Sequence, residues 1–363
     1  MNMPLVDAKT APARGLVGMS LPNGWQVVER IPGREDPGFE HVTGGHFSVG
    51  YIVEKDGRKA FAKAFNIANA LQRQNAMNAI LTISTEYLYE KELLDFCRNK
   101  KLGRVVQAID TGELSIPWAE YNNFPTPVPY LIFELADEDI RRAIGRAGKL
   151  EDAAKLRYLH EVAVGLTQLH NNHVAHQDLK PSNVLLFDSL GQGAKIADLG
   201  RASRRGAAAA HDGYLIAGDS TYAPPEQLYG VSAPDWVDRR LACDAFHLGG
   251  LVAFLFCGIA PLAGLKAHLP EEYWPGRWQG SYEDVLPQLI HAFSRFLESL
   301  VAEFPPWARD ELRKIVSELC NPDYAKRGDP KARQMHGRPI GVDRFVSRFD
   351  RLAKRAMVEA RKP

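Results

Sequence analysis

Apolar and polar positions change their period about a third of the way along the chain. Between Phe39 and Ala64 two apolar stretches, Phe47 to Val53 and Ala60 to Phe65, flank Glu54-Lys55-Asp56-Gly57-Arg58, whose Asp-Gly pair predicts a β-hairpin. A helical pattern over Asn69 to Asn99 follows, then short strands at Val105 to Ile109 and Tyr130 to Phe133. From about Leu150 the period is mostly helical: Leu156, Leu159, Val162, Ala163, Leu166 and Leu169 mark one face of a helix over Glu151 to Asn171. The run Leu248 to Leu265 carries no charge and approaches the length of a membrane span. Gly249, Gly250, Gly258 and Pro261 interrupt it and no second span accompanies it, so it reads as a buried core helix ending near Cys257-Gly258. Asp343 to Ala360 is amphipathic, with Phe345, Val346, Phe349, Leu352 and Ala356 on one side and arginines on the other, as expected of a final packed helix. The fold class read from this order is α+β, a small β-rich part before a larger helical part.

Composition narrows the class. The 363 residues, 45% hydrophobic and 25% charged, suit a soluble globular chain of about two domains or one large bilobed one. Lys and Arg (45) balance Asp and Glu (44), so no overall field draws in nucleic acid or an anionic membrane, and neither partner is expected. Four cysteines without a C-x-x-C spacing read as reduced thiols, and residues 1–24 as a loose leader without a secretory pattern, which together point to the cytoplasm.

The chemistry concentrates after the helix ending near His170. In His176-Gln177-Asp178-Leu179-Lys180-Pro181-Ser182-Asn183, an extended backbone projects Asp178 and Lys180 to one side. There a carboxylate can orient an acceptor hydroxyl while an ammonium offsets charge on a moving phosphoryl group. Asn183 offers a neutral oxygen to a hard cation. Downstream, Asp198-Leu199-Gly200 sets a carboxylate at a strand end before a sharp turn. Upstream, strand alternation puts Lys63 on the face shared by Phe61 and Phe65.

This constellation resembles the eukaryotic-type (Hanks-type) serine/threonine protein kinase family, with the catalytic loop H-R-D-L-x-x-x-N at 176–183 and D-F-G at 198–200. The resemblance spans Trp25 to Lys354 and implies a bilobed protein-kinase-like fold. Its N-lobe would cover about 25–134 and its C-lobe about 135–354, followed by a basic tail over 355–363. It implies transfer of the ATP γ-phosphate to Ser/Thr hydroxyls of protein substrates, the protein itself being one candidate, with Mg²⁺ or Mn²⁺ held by Asn183 and Asp198. Asp178, Lys180 and Lys63 are the implied catalytic residues, with Glu90 as the helix partner of Lys63 and Glu86 and Glu92 as alternatives. ATP would be covered by Gly44, Gly45, Phe47 and Ser48, paired at its base by the backbone of Glu134 and Ala136 behind the gatekeeper Phe133, and approached at its ribose by Asp139. Gly218 to Glu226 looks like the end of an activation segment, Glu226 is expected to pair with Arg327, and Asp244 is expected to hold the catalytic-loop backbone.

Several positions depart from the family pattern. Phe61 stands where the family has a small alanine over the adenine, the glycine turn is degenerate at Thr43 and Ser48, and Asp219 replaces a threonine. These support the alternative, a pseudokinase or nucleotide-binding scaffold with little transfer. Gln177 replaces the arginine that in the family binds activation-loop phosphate, so activity is expected not to depend on phosphorylation read there. Ser203, Tyr214, Ser220 and Thr221 remain modifiable, and Arg201, Arg204 and Arg205 form a local basic run. The stretch 266–307, with Trp274 and Trp278, and Trp307 at its end, is either a partner surface or additional core.

Overall fold

The computed structural model describes residues 11–33, 36, 48–71, 74–118, 123–147 and 150–361. The chain divides into two compact units, residues 1–101 with 106–136, and 102–105 with 137–363. The protein has the protein-kinase-like α+β fold, β-rich in the first unit and helical in the second.

The first unit is built on a five-stranded antiparallel sheet of β1 (Gln26–Arg30), β2 (Ser48–Lys55), β3 (Arg58–Phe65), β4 (Ala108–Trp118) and β5 (Phe124–Glu134), ordered β1-β2-β3-β5-β4. The hairpin expected at Asp56-Gly57 joins β2 to β3, and both turn residues have positive φ (50° and 75°), the backbone that a twisted two-residue turn demands. On β3 the small Ala60, Ala62 and Ala64 are buried while Phe61 and Lys63 on the other face are half-buried, so the alternation predicted for Lys63 holds. The expected short strands at 105–109 and 130–133 are instead two 11-residue strands. Their extra length is masked in sequence by Pro125, Pro127 and Pro129. These share one edge of β5, and the ladder to β3 stops at Tyr130, so no pairing on that edge is forfeited. The predicted long helix 69–99 is α1 (Ala68–Leu71) and α2 (Ala76–Asn99).

Residues 11–24, read from sequence as a loose leader, contribute to the core. Ala11, Ala13, Leu16 and Leu21 are buried, the last three in one cluster with Trp25, Tyr51 and the β3 alanines. Tyr51 donates to the Ala13 carbonyl at 2.6 Å. Few apolar residues among Pro and Gly leave no periodic signal, which hides this strap.

The second unit begins with β6 (Glu138–Asp139) and α3 (Ile140–Ala147), then α4 (Asp152–Asn171), which packs against the last helix, α10 (Val342–Glu359). Phe345, Phe349, Leu352 and Ala356 supply the buried face of α10, as the amphipathic pattern predicts. Between them run β7 (Val174–Ala175), β8 (Val184–Phe187), β9 (Gly193–Ile196), β10 (Ser203–Arg204), α5 (Pro225–Leu228), α6 (Ala242–Cys257), α7 (Pro261–His268), α8 (Tyr282–Glu303) and α9 (Arg309–Leu319). The uncharged run Leu248 to Leu265 covers the end of α6, closed by Gly258 in the left-handed conformation (φ 70°), and the start of α7. Among the described residues one helical stretch, Val237–Cys257, is long and apolar enough to cross a membrane, and 83% of its apolar window is buried in the protein. Trp274 and Trp278 are half-buried and donate to the carbonyls of Leu269 and Ser281, and Lys266 and Arg277 lie against the Trp274 ring, so these aromatics are engaged within the chain. All four cysteines are free thiols.

Candidate active site

Asp244, on the first turn of α6 and fully buried, organises the loop before β8. Its carboxylate accepts from the backbone N–H of His176 (2.8 Å), the backbone N–H of Gln177 (2.7 Å) and His170 Nε2 (2.9 Å). His176 Nδ1 accepts from the Asp178 N–H at 3.3 Å, which leaves Nε2 as the donor to the Ala197 carbonyl at 2.9 Å. The imidazole thereby ties the 176–183 loop to the residue before Asp198. A second tie is the Ala197 N–H on the Asn183 carbonyl, 2.9 Å.

Asp178 is surrounded by donors. The Asp219 N–H reaches Oδ1 at 2.8 Å, while Asn183 Nδ2 and Lys180 Nζ each reach Oδ2 at 3.2 Å. Lys180 Nζ also lies 3.3 Å from Asp219 Oδ2, so Asp219 touches Asp178 through its backbone and Lys180 through its carboxylate. Burial pushes the Asp178 carboxyl up; the Lys180 ammonium opposes this, nearby Asp198 adds to it, and the net shift is upward. Burial would lower the Lys180 ammonium, but the Asp178 and Asp219 carboxylates outweigh it and raise it.

Gly218 lets the segment come this close: a Cβ there would lie 2.5 Å from the Gln177 carbonyl and 2.6 Å from Asp178 Oδ1, both parts of a buried, cross-bonded loop. Replacing Gly218 by Ala is expected to displace the Asp219 N–H and to lower any phosphoryl transfer by about 100-fold, the order of loss for a misplaced reactive group. Steady-state kinetics beside a thermal melt would separate this from unfolding.

In the first unit Lys63 Nζ lies 2.9 Å from both carboxylate oxygens of Glu90, which is buried on α2. Of the three acids on this helix named from sequence, Glu90 is the buried one; Glu86 is half-buried and Glu92 exposed. Tyr87, one turn before Glu90, packs edge-on to Phe65 (4.9 Å between centroids), whose ring lies 5.4 Å from Lys63 Nζ. Phe61 sits 6.2 Å from Phe133 across β3 and β5. Gly50 makes room for it, since a Cβ there would fall 2.9 Å from the Phe61 ring.

The protein kinase domain family matches residues 44–337, 294 of the 363 residues. The chain belongs to the protein kinase family. It is 30% identical over 184 residues to mitogen-activated protein kinase kinase 5 of Leishmania mexicana, covering 49% of this chain and 33% of the relative. It is 23% identical to an Aurora kinase of Schizosaccharomyces pombe, covering 67% of this chain and 63% of the relative. It is also 23% identical to serine/threonine-protein kinase PknA of Corynebacterium glutamicum, covering 65% and 48%. The chain therefore spans between a third and just under two thirds of the length of these relatives.

Gly44, Gly45 and Phe47 lie outside the described residues; Ser48 opens β2 opposite Phe65. Glu134 ends β5, with its N–H on the Gln107 carbonyl and its carboxylate accepting from the Gln107 N–H. Ala136 is half-buried at the end of the first unit. Asp139 accepts the Arg142 N–H at 3.0 Å, and its carboxylate lies 3.8 and 3.6 Å from the Nε atoms of Arg141 and Arg142, so it caps α3. Asn183 and Asp178 share one cluster; Asp198 has a left-handed backbone (φ 62°) after Ala197. The Glu226–Arg327 pair is fully formed, bidentate at 2.8 Å and buried. Sequence reasoning missed Tyr87, and it missed Asp212 and Arg240, whose partners lie too far along the chain to leave a local pattern.

Proposed function

We propose that this kinase-family chain transfers the γ-phosphoryl group of ATP to serine or threonine hydroxyls of protein substrates. The observation that carries the reading is the Asp178 carboxylate, held by the Asp219 N–H, Asn183 and Lys180 and raised in pKa by burial. Asp178 would orient the acceptor hydroxyl and take its proton, while Lys180 offsets charge on the transferring group. Lys63, held by Glu90, would clamp the nucleotide phosphates, with the backbone of Glu134 and Ala136 meeting the base.

The residues fit a divalent cation. Asn183 Nδ2 is occupied by Asp178, which directs its carbonyl oxygen away as an acceptor, and Asp198 lies near enough to Asp178 to raise its pKa. Among the described residues no three His, Cys, Asp or Glu side chains cluster as a metal site; Asn183 would offer an amide oxygen and Asp198 a carboxylate, donors of the kind a hard divalent cation takes. Held by Asn183 and Asp198, Mg²⁺ or Mn²⁺ would supply positive charge to offset that of the phosphate groups.

The test is transfer from γ-labelled ATP with Mg²⁺ to the protein itself and to a generic basic protein, for wild type, Asp178→Ala and Asp198→Ala. Label on serine or threonine that is lost in both variants supports the reading; label on tyrosine, or none from wild type, refutes it. A base must be deprotonated to act, so kcat/KM is expected to rise with pH through the raised Asp178 pKa, placing the acid limb above the ordinary aspartate value of 3.8. A limb at or below that value would remove Asp178 as the base.

A second reading, a nucleotide-binding scaffold with little transfer, is favoured by one feature, the half-buried Phe61 ring beside Phe133 on the sheet. In that case nucleotide binding persists without transfer, and Phe61→Ala changes affinity alone.

A further inference from the structure

Four side chains, from the 176–183 loop, the 201–219 segment and the turn before α6, close a directional hydrogen-bonded ring behind Asp178. Arg240 Nη1 donates to Gln177 Oε1. Gln177 Nε2 donates to Ser203 Oγ at 2.8 Å and to the Arg201 carbonyl at 2.9 Å. Ser203 Oγ donates to Asp212 Oδ1 at 2.6 Å, and Asp212 Oδ1 also accepts from Arg240 Nη2 at 3.3 Å. A guanidinium can only donate, so the Gln177 amide must turn its oxygen to Arg240 and its nitrogen to Ser203. The Ser203 hydroxyl, already accepting from that nitrogen, must send its proton to Asp212. Both directions around the ring begin at one cation and end at one carboxylate, so each member has one orientation that satisfies it.

The ring is built into its surroundings. Gln177, Ser203 and Arg240 are buried, and Gln177 holds a left-handed backbone (φ 63°) beside Asp178. Arg240 lies on a π-turn, Val237–Leu241, that lets consecutive arginines both reach the Asp212 carbonyl, each at 2.8 Å. Asp212 Oδ2 accepts the Ala209 N–H at 2.8 Å, and Ser203 and Arg204 pair with Ala175 and Val174 immediately before the catalytic loop. The stretch from Arg201 to Asp219 is thereby fastened to Gln177 by the ring, to Val174 and Ala175 by the β10 pairing, and to Asp178 by the Asp219 N–H.

We propose that Arg240, Gln177, Ser203 and Asp212 are positioning residues that hold the 201–219 segment against Asp178, with the Asp212 carboxylate serving as a resident anion so that no phosphate on the segment is required. The proposal rests on the kinase reading above for its activity arm alone. Protein freed of phosphate by a broad-specificity phosphatase, and verified by mass spectrometry, is compared as wild type, Asp212→Asn, Ser203→Ala and Asp212→Glu. Phosphate-free wild type is expected to keep its transfer rate. Asp212→Asn and Ser203→Ala are expected to lose about 10- to 100-fold in kcat with KM for ATP nearly unchanged, and Asp212→Glu to recover part of the loss. In parallel, trypsin cleavage after Arg204 or Arg205 is expected to be at least about tenfold faster in the first two variants than in wild type. Should Asp212→Asn fail to fold, Ser203→Ala decides. Phosphate-free wild type that is cut as fast as the variants, or that transfers only after phosphorylation of the segment, overturns the proposal. If no form transfers phosphate, the cleavage comparison still decides the ring, and the failure belongs to the kinase reading.

Discussion

Arg327→Ala is expected to lower the unfolding free energy by about 3–5 kcal/mol, the range for stripping one partner from a buried ion pair. Arg327 is fully buried and makes four hydrogen bonds with its three nitrogens: Nη1 and Nη2 reach the two Glu226 oxygens at 2.8 Å each, Nε reaches the Asn321 carbonyl at 3.0 Å and Nη1 the Ala242 carbonyl at 3.2 Å. The guanidinium also lies 5.1 Å from the Phe246 ring. Removing it strands the Glu226 carboxylate, 4% exposed at the start of α5, and leaves two carbonyls without their donor. A domain stable by about 5–15 kcal/mol would lose a large part of its margin. Urea unfolding checks this, and the double variant Glu226→Leu/Arg327→Met separates the charge from the packing. The double variant should be less destabilised than either single change, because no buried charge is left alone. Equal losses in single and double variants would mean that the pair contributes shape and not charge.

How much of the molecule is legible in its sequence follows the distance between interacting residues. Asp178, Lys180 and Asn183 lie within six positions of one another, so a loop at fixed offsets displays them together. Strand alternation alone assigns the Lys63 face, because period two is a local property. The α2 partner is ambiguous among Glu86, Glu90 and Glu92, since three acids within seven positions all leave the same trace, and burial singles out Glu90. The residues 11–24 strap and the extended β4 and β5 are hidden for a different reason. Pro and Gly suppress the apolar period, yet the strap's few apolar side chains join a sheet-face cluster that includes the three β3 alanines, and the prolines sit on an edge that has no ladder to lose. Asp212 and Arg240 are 28 positions apart and Gln177 and Arg240 are 63 apart, so no window shorter than the fold contains them.

Asp244→Ala is the change expected to cost both stability and transfer. This carboxylate is fully buried and accepts from two backbone N–H groups and one imidazole, and all three lose their acceptor when it is removed. An unsatisfied buried donor costs about 1–3 kcal/mol, so a loss of about 3–5 kcal/mol is expected once some relaxation is allowed. The two backbone donors belong to His176 and Gln177, the residues that lead directly into Asp178, so the loop shifts with them. A displacement of about 1 Å there is worth about 100-fold in transfer. Burial would raise the Asp244 carboxyl, but the His170 and His176 rings and the Gln177 N–H outweigh it, leaving it below its ordinary value of 3.8. A depressed acid stabilises the fold above its unfolded pKa, and that contribution is lost as the pH falls through the folded one, so Asp244 should matter fully at neutral pH. Asp244→Asn keeps one accepting oxygen but turns an N–H₂ group toward a donor, so its loss should fall between wild type and Ala. Melting curves together with kcat for the three forms test this, and an Asp244→Asn protein with full activity and an unchanged melting temperature would show that the loop holds its shape without the carboxylate.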